Sequence, residues 1–279
     1  RFSRKGNRLG QGSSLMIDSH LHLDDQAFDG KVDEIVSRFD EFDVKFVINN
    51  SSDYPTMLSS VALANKYPKI FATIGMHPHT SKDFDQKFAG KMFELANNPK
   101  VVAVGEIGLD YHYDLSDRQI QRDVFARQLE IADKLGLPVT LHVREAYGDA
   151  DDILTAQKKY LNHGVLWHCY SGSEDFAKQM VKRGHYFAFG GAITFKSAKK
   201  ESVIAAIPTD RILCETDSPY MAPVPFRGTV NTPFNIPLIV EKIASVYGIT
   251  TEQADEIILN NCLTLFPKIA EYLAANNLD

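Results

Sequence analysis

The chain has 279 residues, 44% of them hydrophobic and 24% charged, and carries a formal net charge of -6 at pH 7. That composition suits a globular protein with a substantial core, and it excludes strong nonspecific binding to long duplex nucleic acid through overall basic charge. No stretch reaches the ~18 uninterrupted apolar residues of a membrane helix, and no Pro/Gly/Ser-rich linker or short repeat divides the sequence, so one large domain is expected.

Residues 1 to 15 are polar and Gly/Ser-rich, and their basic start, RFSRKGNR, leads into no apolar signal region. They are expected to be a vector-derived or upstream extension, or else a native tail, ahead of a domain spanning 16–279. From Met16 onward the sequence alternates two patterns. Eight short runs rich in β-branched residues read as strands: LMIDS near 15, VKFVIN near 44, KIFATIG near 69, VVAVG near 101, PVTLHV near 138, GVLWHC near 164, YFAFGG near 186 and RILCET near 211. Between them lie segments with apolar residues at three- and four-residue spacing, among them VDEIVSRFDEF, TMLSSVALANKY, RDVFARQLEIADKLG and EDFAKQMVKRG. These suit crossover helices covering a parallel sheet. Eight strand and helix units predict an α/β fold, the (β/α)8 TIM barrel, as a single domain; a doubly wound open sheet is the alternative. After the eighth run come a Pro-rich loop, MAPVPFRGTVNTP, and helical stretches from Ile236 to Tyr247 and from Glu252 onward.

Metal-type ligands stand at or just past the ends of five of these runs, where a barrel delivers its catalytic side chains. His20 and His22 are two apart, so an extended strand points both imidazoles to one side. An isolated pair of this kind is more often two surface histidines, but four further ligand-type residues at strand ends reverse that reading. Glu106 is expected in a turn between Gly105 and Gly108, where its two carboxylate oxygens can bridge two cations. His142 and His168 offer neutral nitrogen ligands to a second ion, although either alone would read as a hydrogen-bonded core histidine. Asp217 can ligate an ion, take a proton from an attacking water and pass it to the leaving group, against the plainer reading of a capping acid in the TDSP turn.

Around these, His77 in the GMHPH turn, Arg144 two residues after His142, and Arg227 are expected to contact substrate. His77 can equally be a structural turn histidine, and Arg144 an ion-pair partner of Glu145 or Asp149. Tyr113, Tyr170 and Tyr220 can stack bases, with packing of the rim as the plainer expectation. Three widely spaced cysteines, Cys169, Cys214 and Cys262, fit reduced buried thiols and a cytoplasmic setting.

The motifs DSHLHL, GMHPH, GEIGLDYH, LHVREA, HCYSG and ETDSPYMAP, in this order from residue 18 to 223, make the chain resemble the TatD family of metal-dependent hydrolases in the amidohydrolase superfamily. The resemblance covers Met16 to the C-terminus. It implies a TIM barrel with two divalent ions per subunit, magnesium by family habit and manganese or zinc by ligand chemistry. It assigns His20, His22, Glu106 and Asp217 to one ion and Glu106, His142 and His168 to the other, with Glu106 and Asp217 catalytic. The implied activity is that of a deoxyribonuclease hydrolysing phosphodiester bonds of DNA, acting on single strands or ends, with no obligate protein partner and no membrane.

One departure bears on substrate. Where the family commonly carries a basic stretch like RGKRNEP after the eighth strand, this chain has Arg227-Gly228-Thr229-Val230-Asn231-Thr232-Pro233. Weaker DNA binding or a smaller substrate is therefore expected. Hydrolysis of a small-molecule or aminoacyl ester or amide at the same two-metal site is the alternative function, because such a site can attack carbonyl carbon as well as phosphorus. A metal-stabilised binding protein is a third reading, which requires a closed coordination shell.

Overall fold

A computed structural model describes residues 16–278, so the expected extension at 1–15 lies outside the described residues. All eight predicted strands form: β1 (Met16–Leu21), β2 (Val44–Asn49), β3 (Ile70–Ile74), β4 (Val101–Asp110), β5 (Val139–Arg144), β6 (Val165–Trp167), β7 (Tyr186–Phe189) and β8 (Ile212–Cys214). They pair in parallel in unbroken sequence order from β1 to β8. The absence of any reversal in that order rules out the doubly wound sheet. Beyond the last paired strand, Asp217 N–H donates to His20 O (2.9 Å) and His22 N–H to Ser218 O (2.8 Å), which draws the two edges together into a nearly closed barrel.

The helices are α1 (Val32–Ser37), α2 (Tyr54–Lys66), α3 (Gln86–Leu95), α4 (Arg118–Leu135), α5 (Tyr147–Ala156), α6 (Glu174–Val181), α7 (Glu201–Ala205), α8 (Ile236–Tyr247), α9 (Thr251–Leu265) and α10 (Pro267–Ala275). Several starts are fixed by side chains that accept the first free N–H groups: Asp53 for α2, Asp85 for α3, Asp117 for α4, Ser173 for α6 and Thr250 for α9. The single helix expected from Glu252 onward is broken at Phe266, because Pro267 has no N–H to continue it and instead opens α10. Helices outside and side chains inside bury both faces of the strands, which is why the strands read as near-continuous apolar runs.

One local expectation is corrected. Glu106 does not sit in a turn: β4 runs through it to Asp110, fully buried throughout. The neighbouring glycines serve strand packing. A Cβ on Gly105 would stand 2.8 Å from the Thr140 Cβ, and one on Gly108, at φ +141, would stand 2.0 Å from the His142 carbonyl oxygen. Only Gly admits β5 this close, and the close approach sets Glu106 and His142 side by side.

At the opposite, N-terminal end of the strands, α9 and α10 complete the floor. Asn261 Nδ2 donates to Thr209 O (2.7 Å) and Ile212 O (2.8 Å), and Lys268 Nζ to Asn98 O (2.9 Å). Among the described residues no helix is long and apolar enough to cross a membrane.

Candidate metal centre

Period-two alternation along β1 sends Asp18 and His20 into the barrel, and His22 follows just past the strand end. His22 donates from Nδ1 to Asn50 O (3.0 Å), so in its neutral form Nε2 carries a lone pair directed inward. That atom stands 3.3 Å from His20 Nε2, 3.6 Å from Glu106 Oε2 and 3.6 Å from Asp217 Oδ1. His20 Nε2 is 3.1 Å from the same Glu106 oxygen and 3.8 Å from Asp217 Oδ1.

The other Glu106 oxygen faces a second set. Oε1 lies 3.3 Å from His142 Nδ1, 3.6 Å from His168 Nε2 and 3.5 Å from His77 Nε2. Here too the outer nitrogens are tied. His142 Nε2 donates to Asp110 Oδ2 (2.9 Å), and His168 Nδ1 to Glu215 Oε1 (3.0 Å). Three imidazoles thus bond an oxygen acceptor behind and present a lone pair in front, the arrangement that orients metal-ligating histidines.

His77 is different. Its Nδ1 accepts the His79 N–H (3.1 Å), so a neutral His77 must carry its proton on Nε2, which faces Glu106. Burial, reinforced by His142, holds its pKa well below the usual histidine value, and the ring is therefore a neutral hydrogen-bond donor rather than a lone-pair ligand.

The electrostatics of the cluster call for positive charge. Burial opposes protonation of His22, yet the carboxylates of Asp217 and Glu106 outweigh it and raise its pKa to about 9. Burial opposes protonation of His168 as well, and Glu215 and Glu106 raise it to about 10. Burial likewise works against ionisation of Glu106, but His20 and His168 bring its pKa well below the usual carboxylate range. His20, which stacks on His168 with ring centroids 3.7 Å apart, is lowered by burial and by that neighbour.

The cavity around the cluster has a volume of about 470 Å³ and is lined by Asp24, Asp25, Glu106 and Asp217 together with five histidines, with no Lys or Arg in its lining. Among the described residues, the buried side-chain atoms with no hydrogen-bond partner are His20 Nδ1 and Glu215 Oε2, both in this centre. Acids and imidazoles converge here without a protein cation, and ligand-type atoms lie within 4.8 Å of one another in three groups, His20 with His22 and Asp217, His20 with His168 and Glu215, and His77 with Glu106 and His142. With His77 committed as a donor, His142 and His168 are left to face the second Glu106 oxygen, and the remaining nitrogen and oxygen donors suit divalent ions.

The structure brings together His20, His22, Glu106, His142, His168, Asp217 and His77. It does not bring in the two arginines. Both are exposed: the Arg144 guanidinium lies 5.0 Å from the Tyr113 ring centroid and that of Arg227 4.5 Å from Phe195. Arg144 is the last paired residue of β5, opposite Asp110, at the rim of the barrel where an aromatic face takes up its guanidinium. The acids expected to pair with it are engaged elsewhere, Glu145 with His112 and Asp149 with Arg122. Tyr170 packs inside, its hydroxyl donating to Ser173 O (2.7 Å).

Sequence reading passed over Asp110, Glu215, Asp18 and His79. Asp110 Oδ2 also accepts from His79 Nε2 (2.9 Å), so one carboxylate oxygen steadies two imidazoles. Asp18, below the centre, accepts the Thr216 N–H (2.9 Å) and is pushed up to about 8 by burial. Alternation could have found Asp110, four residues after Glu106 on one strand, and Asp18, two before His20.

Comparison with known proteins agrees with this chemistry. The family described as TatD related DNase matches residues 17–267. An uncharacterized metal-dependent hydrolase of Bacillus subtilis, YabD, is 36% identical over 253 residues, 90% of this chain and 99% of its own. The 3'-5' ssDNA/RNA exonuclease TatD of Klebsiella pneumoniae is 30% identical over 259 residues, 90% of this chain and 97% of its own. Among solved structures, YJJV, a TatD homologue of Escherichia coli K12, superposes with a TM-score of 0.85 at 29% identity, over 92% of this chain and 99% of that one.

Proposed function

The chain belongs to the TatD family of metal-dependent hydrolases, and from that premise we propose that it is a deoxyribonuclease cleaving phosphodiester bonds of DNA at single strands or ends. The observation that carries the reading is the position of Glu106, with one carboxylate oxygen toward His20 and His22 and the other toward His142 and His168. His20, His22, Glu106 and Asp217 would hold one divalent ion, and Glu106, His142 and His168 a second. When bound, such ions acidify a water and neutralise charge building on phosphoryl oxygens.

The chain's own residues do the rest. Asp217 takes the proton of the attacking water as its oxygen bonds phosphorus, and returns it to the ester oxygen that leaves. His77 donates from Nε2 to a phosphoryl oxygen, a neutral donor that does not compete for the ions. Asp110 and Glu215 keep His142 and His168 in the tautomers that point lone pairs inward. The Klebsiella relative, named as an exonuclease on single-stranded DNA and RNA, supports the substrate class. Magnesium is the expected ion, with manganese and zinc compatible with the mixed nitrogen and oxygen donors. The free thiols Cys169, Cys214 and Cys262 support a cytoplasmic setting.

A second reading, hydrolysis of a small-molecule or aminoacyl ester or amide, is favoured by one observation: the cavity lining carries Asp24 and Asp25 and no cation for additional phosphates. The test is hydrolysis of labelled single-stranded DNA, bis(4-nitrophenyl) phosphate and a panel of carboxyl esters by metal-stripped protein refilled with Mg, Mn or Zn, with Glu106→Ala as the blank. Metal-restored DNA cleavage that disappears in Glu106→Ala upholds the nuclease. Ester turnover with intact DNA overturns the substrate in favour of the second reading.

A further inference from the structure

We propose that the mouth of the cavity is a two-walled stacking site for unpaired nucleobases, formed by Tyr113 and Tyr220, which grips a single strand by its bases rather than by its phosphates. The inference rests on the nuclease reading above and names how that site selects its substrate. In a ring of eight strands the loops after β4 and β8 are four strands apart, on opposite sides of the mouth. Tyr113 belongs to the first loop and Tyr220 to the second, and both line the cavity that holds Glu106 and Asp217.

Apolar surface is concentrated at these two places. Of the ten large hydrophobic residues exposed among the described ones, six lie on the two loops: Tyr113, Leu115, Tyr220, Met221, Val224 and Val230. A residue with no partner would normally be free to turn its ring away, but both tyrosines are held. Tyr113 has the Arg144 guanidinium 5.0 Å from its centroid and meets His79 edge to face at 5.4 Å. Tyr220 donates its hydroxyl to Asp25 Oδ2 (2.6 Å) and stands 6.1 Å from the His22 ring. Each nonetheless remains half exposed, 54% and 51%. Rings fixed in advance and left bare lose little conformational freedom when a flat partner stacks on them.

Charge points the same way. Phosphates flanking the scissile one would meet Asp24 and Asp25, with no Lys or Arg in the lining to neutralise them. Arg144 and Arg227, the cations expected to do so, stack on Tyr113 and Phe195 instead. Beyond the scissile phosphate, the lining offers a strand no cation and is better suited to its uncharged parts, and bases present a π face whatever their identity. Tyr220 also lines a second, more open cavity of about 650 Å³ with Pro219, Thr229 and Val230, whose charged residues are the acids Asp25 and Asp29, so it too offers phosphates no cation.

The experiment compares KM and kcat for a single-stranded oligonucleotide and for the same strand made abasic beside the cleavage position, using metal-loaded wild type, Tyr113→Ala, Tyr113→Phe and the same pair at Tyr220. Base removal should raise KM for wild type by roughly 5- to 150-fold, the range of one stacked base. In the alanine variant at the wall that holds this base, KM for the intact strand should already be raised and base removal should add nothing. Phenylalanine should restore the wild-type pattern, because the ring and not the hydroxyl stacks. The salt dependence should be shallow, with a slope of about 1 to 2, since each phosphate held by a cation adds about 0.7. Equal KM for intact and abasic strands, an abasic penalty that persists in both alanine variants, or a salt slope of about 4 or more overturns the stacking site while leaving the nuclease standing. Turnover of bis(4-nitrophenyl) phosphate without cleavage of any oligonucleotide overturns both.

Discussion

The two ends of this barrel bury charge by opposite means. At the floor Lys100, 4% exposed, donates to the carbonyls of Ala64 (2.5 Å), Tyr67 (2.5 Å) and Pro68 (3.1 Å) at the end of α2, and so supplies the donors that a helix C-terminus lacks. Burial lowers its pKa to about 8, yet every partner it needs comes from the chain. At the mouth, Glu106 is buried and Asp217 partly buried among His20, His22, His142 and His168, and no Lys or Arg lines the cavity. A buried charge satisfied by backbone serves stability. A buried set short of cations is built to receive them, and that difference separates the structural end of the fold from the chemical one.

The largest effect that can break this contrast is at Glu106. Glu106→Ala should reduce hydrolysis more than about a thousand-fold, because one side chain serves both clusters, while far-ultraviolet circular dichroism stays that of the folded barrel. Activity within about tenfold of wild type would mean that the two clusters do not depend on their shared carboxylate.

Acid should reveal the same demand for charge. In the metal-free protein His22 and His168 hold protons with pKa values raised to about 9 and about 10. The stability those protons give is complete below the unfolded histidine pKa, near ~6.5, and is lost as pH rises through about 9 to 10. Ions must displace them, so metal affinity should fall on acidification, by about tenfold per pH unit for each proton displaced, and activity at a fixed limiting metal concentration should fall from pH 8 to 5. A flat profile of metal affinity over that range would contradict the assignment.

The floor should respond differently. Lys100→Ala strips three carbonyls of a donor and should cost about 1–3 kcal/mol in denaturant unfolding, with kcat and metal affinity unchanged in the folded fraction. A change in metal affinity would dissolve the distinction between the two ends. Smallest of all, Arg227→Ala should alter kcat/KM for an oligonucleotide by less than about twofold, since its guanidinium rests on Phe195 outside the cavity; a tenfold loss would return it to the substrate path.

The fold was legible because strand and helix periods are local, and all eight runs carry theirs. The convergence of the candidate ligands was legible for a similar reason, since barrel strands deliver side chains at their C-terminal ends and His20, His22, His142, His168 and Asp217 stand there. The course of β4 through Glu106 was not, because glycines that usually mark a turn serve here to let β5 approach, a demand that only the neighbouring strand makes visible. The partners behind the ligands were hidden too. His168 and Glu215 are 47 positions apart, and His22 meets a backbone carbonyl, that of Asn50, which has no signature in sequence. Arg144 shares strand parity with His142 yet stacks on Tyr113, because alternation sets only the side to which a residue points, and from the last paired position of β5 a long side chain reaches the rim and a ring on another loop.

The most direct test of a mouth built around Glu106 is calorimetric titration of metal-stripped protein with Mn²⁺, wild type beside Glu106→Ala. Two ions per chain in wild type, with both affinities weakened in Glu106→Ala, is the predicted result. Binding in the variant with the stoichiometry and affinity of wild type would contradict the account.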